Sequence, residues 1–167
     1  PSDGSVTESK IGSGAVTSSK LSSGKILNVV QGSHSTAVTN ATGTYADTGL
    51  TASITPISTS NKILVLVNQS FLIQDNGGSH AGADIRLMRD STAIVGNQQR
   101  YQIFTQSTGS TNQAQYNRYT MNILDEPSTT SSIVYKTQSA RYSSTNDYII
   151  TSPDSFGATI ILMEVSG

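Results

Sequence analysis

The chain has 167 residues, a formal net charge of -1 and only 13% charged residues. This length suits one domain with an appendage, and the missing basic surplus argues against nucleic acid or an anionic membrane as a partner. Cysteine is absent, which excludes disulfides, thiolate metal sites and cysteine nucleophiles. No apolar run approaches 18 residues and no signal-peptide pattern is present, so we expect no membrane insertion. Because the first residue is Pro1 rather than Met, we expect the C-terminal part of a longer or processed polypeptide.

The chain opens with two tandem segments that lie ten residues apart. Residues 4–11 read GSVTESKI and residues 14–21 read GAVTSSKL, so Val, Thr, Ser, Lys and a branched aliphatic residue recur in register. So few apolar side chains cannot form a core within one chain. We therefore expect identical copies of the chain to order residues 1–24 as a short extended stalk, with residues 25–167 forming a globular head. A flexible Gly/Ser linker is the alternative.

Short apolar runs bounded by Gly, Ser, Asn, Asp and Pro follow the repeat, and this pattern is typical of strands. Abundant Ser and Thr with little Lys and Glu disfavour helices. In chain order, the principal strands are predicted at residues 26–30, 45–55, 62–73, 83–88, 99–105, 116–124, 132–137 and 159–165, with a short strand at 93–95. The sequence therefore predicts an all-β fold, an antiparallel jelly-roll-like β-sandwich head.

Two of these strands, 62–73 and 159–165, are apolar on both faces. In a monomeric sandwich one face of each strand meets water, so unbroken apolar runs indicate that both faces are covered. We expect the second face to be buried against neighbouring subunits. A central strand that lies under a long loop is the alternative.

The predicted connections differ between the two ends of the head. If successive strands alternate in direction, the connections 56–61, 90–97 and 125–130 lie near the stalk, and the C-terminus returns to the same end. The connections at the opposite, distal end are longer and rich in Gln, Asn, Ser, Gly and Tyr; they are residues 31–43, 74–82, 106–115 and 140–156. Loops that gather at a free end are typical of a binding tip.

Several segments resemble the C-terminal parts of bacteriophage tail-fibre proteins, particularly those of marine phages. The decads and the following KILNVVQ at 25–31 resemble the joint between stalk and head in those proteins. Segments that resemble their β-sandwich heads are YADTGL at 45–50, STSNKILV at 58–65, LMRDS at 87–91 and ILMEV at 161–165. The resemblance covers nearly the whole chain through the order and spacing of these segments.

This resemblance implies a homotrimeric virion fibre whose head attaches to the host-cell surface. Its expected partners are two further copies of the chain, a host-surface glycan or outer-membrane protein, and other virion proteins on the N-terminal side. A capsid-associated head fibre or decoration protein is the alternative, because related modules occur in several phage structural proteins. A trimeric polysaccharide depolymerase is a further alternative.

The sequence offers little catalytic chemistry. The two histidines, His34 and His80, fit solvated loop positions better than a Ser-His-Asp triad, although a histidine on a threefold axis would supply three ligands. The DNGG segment at 75–78 lacks the alternating carboxylates of a calcium loop and predicts a tight turn with positive φ. A glycosidase needs two carboxyl groups about 5–10 Å apart, and the acidic residues show no such pairing. We therefore expect no enzymatic activity, no cofactor and no metal site.

Receptor-binding candidates are polar and tyrosine residues of the predicted distal loops. Tyrosine rings can stack on the apolar faces of sugars, while amide, carboxylate and guanidinium groups bond to hydroxyls. Asn117 and Arg118 are similar candidates just beyond one of these loops. The predicted receptor-binding residues are Gln113, Gln115, Arg141, Tyr142, Asn146, Asp147 and His80.

Overall fold

The structure, a computed structural model, describes residues 24–77, 80–96, 103–106, 112–142 and 147–167, together with Gly12. Within these residues no helix has the length and apolar character needed to cross a membrane. The strands are β1 Ile26–His34, β2 Val38–Asn40, β3 Ala46–Ile54, β4 Lys62–Asp75, β5 His80–Arg89, β6 Thr92–Val95, β7 Ile103–Gln106, β8 Gln113–Asp125, β9 Ile133–Arg141, β10 Tyr148–Thr151 and β11 Ala158–Val165. The predicted stalk, residues 1–24, lies almost wholly outside the described residues.

The first sheet is four strands wide, and we call each strand position across a sheet a lane. We call this sheet the outer-cleft sheet, because its outer face carries a cleft that is described below. Strand β4 is central: β8 pairs along one side of it, and β11 and β10 follow one another along the other side. Beyond them, β1 pairs with β11 and β2 pairs with β10. Strands β10 and β11 therefore form one interrupted lane, and so do β1 and β2.

The second sheet is also four lanes wide. Strand β9 lies between β3 and β5, and the far side of β5 pairs with β6 and then with β7. All of these pairings are antiparallel. When the lanes of both sheets are numbered along the chain, their order is 1-8-3-6 in the outer-cleft sheet and 2-7-4-5 in the second sheet.

This order is the jelly-roll arrangement of two packed four-stranded sheets. The predicted fold class, an all-β antiparallel jelly-roll-like sandwich, is confirmed for the head. The eight lanes also match the eight principal strands of the sequence prediction, since β2, β6 and β10 share lanes with β1, β7 and β11.

The two ends of the head are distinct. At one end, the Gly24 amide donates to the Ser166 carbonyl at 3.0 Å and the Ser166 amide donates to the Lys25 carbonyl at 2.9 Å. The start of the head and the C-terminus of the chain therefore lie together, as predicted. The connections 55–61, 90–91 and 126–132 lie at this proximal end, whereas strands β2, β4, β7 and β9 end at the distal end.

The core lies between the sheets and follows the strand alternation. Ile63, Val65 and Val67 point inward from β4 and pack with buried residues of the second sheet such as Ile85 and Tyr135. The intervening side chains of β4 face outward. Because β11 lies beside β4, the two doubly apolar strands of the prediction are neighbours in the centre of one sheet.

Gly32 is required where β1 passes close to the opposite sheet. A Cβ at this position would fall against the carbonyl group of Thr51 and 3.0 Å from a methyl carbon of Ile160. Overpacking against backbone costs about 2 kcal/mol, so Gly32→Ala should lower the melting temperature by roughly 4–8 °C. Gly157→Ala is the matched control in a thermal unfolding experiment, because a Cβ there meets nothing within 4 Å. Equal melting temperatures for the two variants would contradict the close approach.

Candidate functional site

The structure brings most of the predicted receptor-binding residues to the distal end. Gln113 pairs with Asp75 at the last position of β4, and His80 begins β5. Arg141 ends β9, and Tyr142 follows it and donates its amide to Gly82 at 2.7 Å. These positions agree with the predicted polarity of the loops, and their role in binding stays a prediction.

Two of the candidates hold the distal turns together rather than face solvent. Asp147 is buried, and its Oδ1 accepts a hydrogen bond from the Asn76 amide at 3.1 Å. The Arg141 guanidinium is half-buried and donates to the Asp147 carbonyl at 3.4 Å. Gln115 is also half-buried, on the inner side of β8. Asn146 lies outside the described residues.

The histidines do not occupy the solvated loops that the sequence suggested. His34 ends β1 and is half-buried, with its ring against Gly49. His80 is the first residue of β5 and is half-buried as well. No cluster of ligands that could hold a metal ion occurs among the residues the structure describes. The predicted tight turn at 75–78 agrees with Gly77, which has a φ of 94° and donates its amide to Asp75 Oδ1 at 3.1 Å.

The proximal half of the outer-cleft sheet exposes an apolar surface, which we call the apolar half-face. Across one row, Leu124 of β8 lies beside Leu64, Leu64 beside Met163, and Met163 beside Val29. The residues at the two ends of this row, Leu124 and Val29, are 49% and 55% exposed. Leu66 and Ile161 extend the surface in the next row. The apolar half-face therefore consists of Val29, Leu64, Leu66, Leu124, Ile161 and Met163.

The distal half of the same face is covered by residues 152–157, which interrupt the lane between β10 and β11. The Ser152 amide donates to the Ser70 carbonyl at 3.0 Å, and the Ser70 hydroxyl bonds to the carbonyl of Phe156. Ser70 and Leu72 point outward from β4 yet are buried. The alternative of a central strand under a loop is therefore correct for this half of β4, while the proximal half is open.

The covering segment has an unfavourable backbone. Ser152, Asp154 and Ser155 have φ values of 51°, 51° and 61°. Each residue other than glycine in this left-handed region costs roughly 1 kcal/mol, and such residues cluster at functional sites. Hydrogen bonds from Arg118 Nη1 to the Gly157 carbonyl at 3.2 Å and from the Tyr116 hydroxyl to Asp154 Oδ2 at 2.8 Å fasten the segment to β8.

A cleft of about 400 Å³ lies between this segment and β8. Its volume falls within the range of small-molecule sites. Tyr116 and Phe156 line it with their rings edge to face, 6.5 Å apart at an interplanar angle of 73°. Both rings are about half exposed, at 54% and 53%. The full lining consists of Ser70, Phe71, Tyr116, Asn117, Arg118, Pro153 and Phe156.

Polar groups surround the aromatic pair. The hydrogen bond to Asp154 raises the pKa of Tyr116 above its ordinary value, so this phenol stays a neutral donor at physiological pH. Arg118 uses only Nη1 in its bonds to Asn68 and Gly157 within the described part of the chain. Asn117 and Arg118 are among the candidates predicted from the sequence. Tyr116 and Phe156 are not, because they lie 40 residues apart and share no motif.

Comparisons with known proteins assign this chain to no family. No family model matches the sequence, and no curated protein matches it significantly. Among solved structures, the chain is similar to a structure of infectious bursal disease virus strain Gx, with 12% identity over 84% of this chain and 37% of the other, and a TM-score of 0.37. A structure of the T13 particle of the same virus gives 10% identity over 86% and 38%, with a TM-score of 0.35. The chain thus spans less than two fifths of either neighbour.

Proposed function

We propose that this chain is a structural protein of a virion, the head of a homotrimeric tail fibre that attaches the particle to the host-cell surface. The observation that carries the proposal is the polarity of the head. Gly24 and Gly167 lie at one end, where the N-terminal segment joins, and the distal turns lie at the other end. A head tethered in this way presents its distal turns and the neighbouring cleft to a partner in front of the particle.

The apolar half-face supports assembly from identical copies. Four lanes about 4.8 Å apart and five residues of strand give it an area of roughly 300 Å², within the range of the largest apolar patch on a typical monomer. A standard interface buries about 800 Å² on each partner. The apolar half-face would therefore form the centre of a contact between copies, while polar residues around it and the N-terminal segment supply the remainder.

Three copies in one fibre follow from the resemblance to phage fibres, and they give the proposal its mechanism. Three equivalent weak sites on each fibre, and several fibres on each particle, raise the effective concentration of every further contact. Attachment then needs no tight single site. This mechanism includes no chemical step, in keeping with the expectation that the chain is not an enzyme.

Electron microscopy of particles labelled with an antibody against the head tests this assignment. We expect label at the free ends of tail fibres, because the N-terminal segment leads back toward the particle. Label spread over the capsid surface would overturn the tail-fibre assignment in favour of a head fibre or decoration protein. Unlabelled particles, with the protein found only in infected cells, would overturn the virion assignment as a whole.

A further inference from the structure

We propose that the cleft between residues 152–157 and β8 binds a neutral hexopyranose unit of a surface polysaccharide, with Tyr116 and Phe156 as its stacking surfaces. The biological use of this site rests on the proposed attachment function, whereas binding itself does not. The site differs from the distal-turn residues that the sequence indicated.

The shape of the aromatic pair suits a sugar ring. Two rings at 73° to each other form a corner instead of a flat stack. The C–H groups on one face of a pyranose carry slight positive charge and match the negative face of an aromatic ring. One wall of the corner can therefore cover a sugar face while the other contacts its edge.

Both aromatic rings remain partly exposed to water. Burial of a large aromatic ring lowers the free energy of the system. Tyr116 and Phe156 nevertheless each keep about half of their surface exposed. Their mutual contact leaves the inner side of the corner open to the cleft of about 400 Å³. A bound sugar ring would cover this surface.

Polar side chains lie beside the aromatic pair. Asp154 and Arg118 lie beside the corner and supply a carboxylate and a guanidinium. These groups can accept from and donate to the hydroxyls at the edge of a sugar ring. One acidic and one basic side chain together give no net charge, which favours a neutral hexose over a uronic or amino sugar.

Hydrogen bonds hold the covering segment in one position. The covering segment is fixed through Tyr116, Arg118 and Ser70, and its three left-handed residues persist because these contacts hold them. A preformed corner binds without the cost of ordering a loop. The unfavourable backbone of residues 152–157 is thereby explained by the position it gives to Phe156.

Saturation-transfer NMR with the methyl glycosides of glucose, galactose and mannose, and with neutral hexose oligosaccharides, tests the proposal. We expect saturation on the ring protons of at least one of these sugars, with a dissociation constant on the order of 1 mM for the monosaccharide. Tyr116→Ala and Phe156→Ala should each weaken binding about tenfold. Phe156→Ala keeps the backbone bonds of its segment and should keep the wild-type melting temperature. Tyr116→Ala also loses the bond to Asp154 and should lower the melting temperature by roughly 2–4 °C.

Two variants serve as controls. Tyr116→Phe keeps the stacking ring and loses only the bond to Asp154, so it should retain binding within about threefold. Ile57→Ala removes an exposed apolar side chain at the proximal end, far from the cleft, and should leave sugar binding unchanged. The proposal is overturned if no probe binds the wild-type protein, or if the two cleft variants bind as well as wild type.

These results are separable from the fate of the proposed function. A protein that binds hexoses through the cleft but is absent from the particle would overturn the attachment role and leave the site intact. A labelled tail fibre whose head binds none of the probes would do the reverse.

Discussion

Val29→Glu combined with Leu124→Glu should convert the proposed homotrimer into monomers. The two residues lie at opposite ends of one row of the apolar half-face and are half exposed in the single chain. A carboxylate buried in a contact between copies loses its hydration without a partner, which costs several kcal/mol. Sedimentation velocity should therefore show three times the mass of the chain for wild type and the mass of one chain for the double variant.

Ile57→Glu is the matched control for this experiment. Ile57 is an exposed aliphatic residue of the same proximal end, at 74% exposure, but it lies in a turn outside the apolar half-face. Its variant should remain trimeric. Substitutions at exposed positions usually change folding stability by less than about 0.5 kcal/mol. Each variant should therefore remain folded and unfold in a single cooperative transition. A double variant that keeps the wild-type mass would contradict the placement of the interface.

Asp125→Ala should destabilise the head by about 3 kcal/mol, because this buried carboxylate joins the two sheets. Asp125 ends β8 in the outer-cleft sheet, and both of its oxygens accept from Arg89 Nη1 of β5, at 2.9 and 3.0 Å. The hydroxyl of Tyr135 on β9 donates to the same group at 2.6 Å. Burial raises the pKa of Tyr135 far above its ordinary value, so the phenol remains a donor at physiological pH.

Thermal unfolding measures this loss, with an expected drop of roughly 6–12 °C for a chain of this size. Tyr135→Phe is the smaller control, since it removes one donor and leaves the pair with Arg89; we expect a loss of about 1 kcal/mol. An Asp125→Ala variant as stable as Tyr135→Phe would show that the pair between sheets contributes little.

The sequence predicted the fold well because strand periodicity is a local signal. The apolar runs at 62–73 and 159–165 predicted β4 and β11, and their double apolar character predicted a second covered or contacting face. A covering segment accounts for the distal half of that face, whereas burial of the proximal half against neighbouring subunits stays a prediction. Residues 152–157 cover the distal half at Ser70, whereas Leu64 and Met163 remain open in the proximal half.

The cleft could not be predicted in the same way. It depends on left-handed conformations at Ser152 and Asp154, which are not glycine. Asp154 and Ser155 form the centre of a turn that the Phe156 amide closes on the Pro153 carbonyl at 2.8 Å, and they lack the glycine that a turn with positive φ favours. The cleft also depends on the register that places Tyr116 opposite Leu72, close to the point where the lane of β10 and β11 is interrupted. Register is set by tertiary pairing, so a tyrosine in β8 looked like any other exposed strand residue.

The attachment account is tested most directly by competition for virus adsorption. Host cells are preincubated with the purified protein, and the rate at which free virus disappears is measured. The account predicts that wild-type protein slows adsorption in a saturable way and that Phe156→Ala does so far less at the same concentration. Unchanged adsorption at wild-type protein concentrations above the dissociation constant for the hexose would contradict this account.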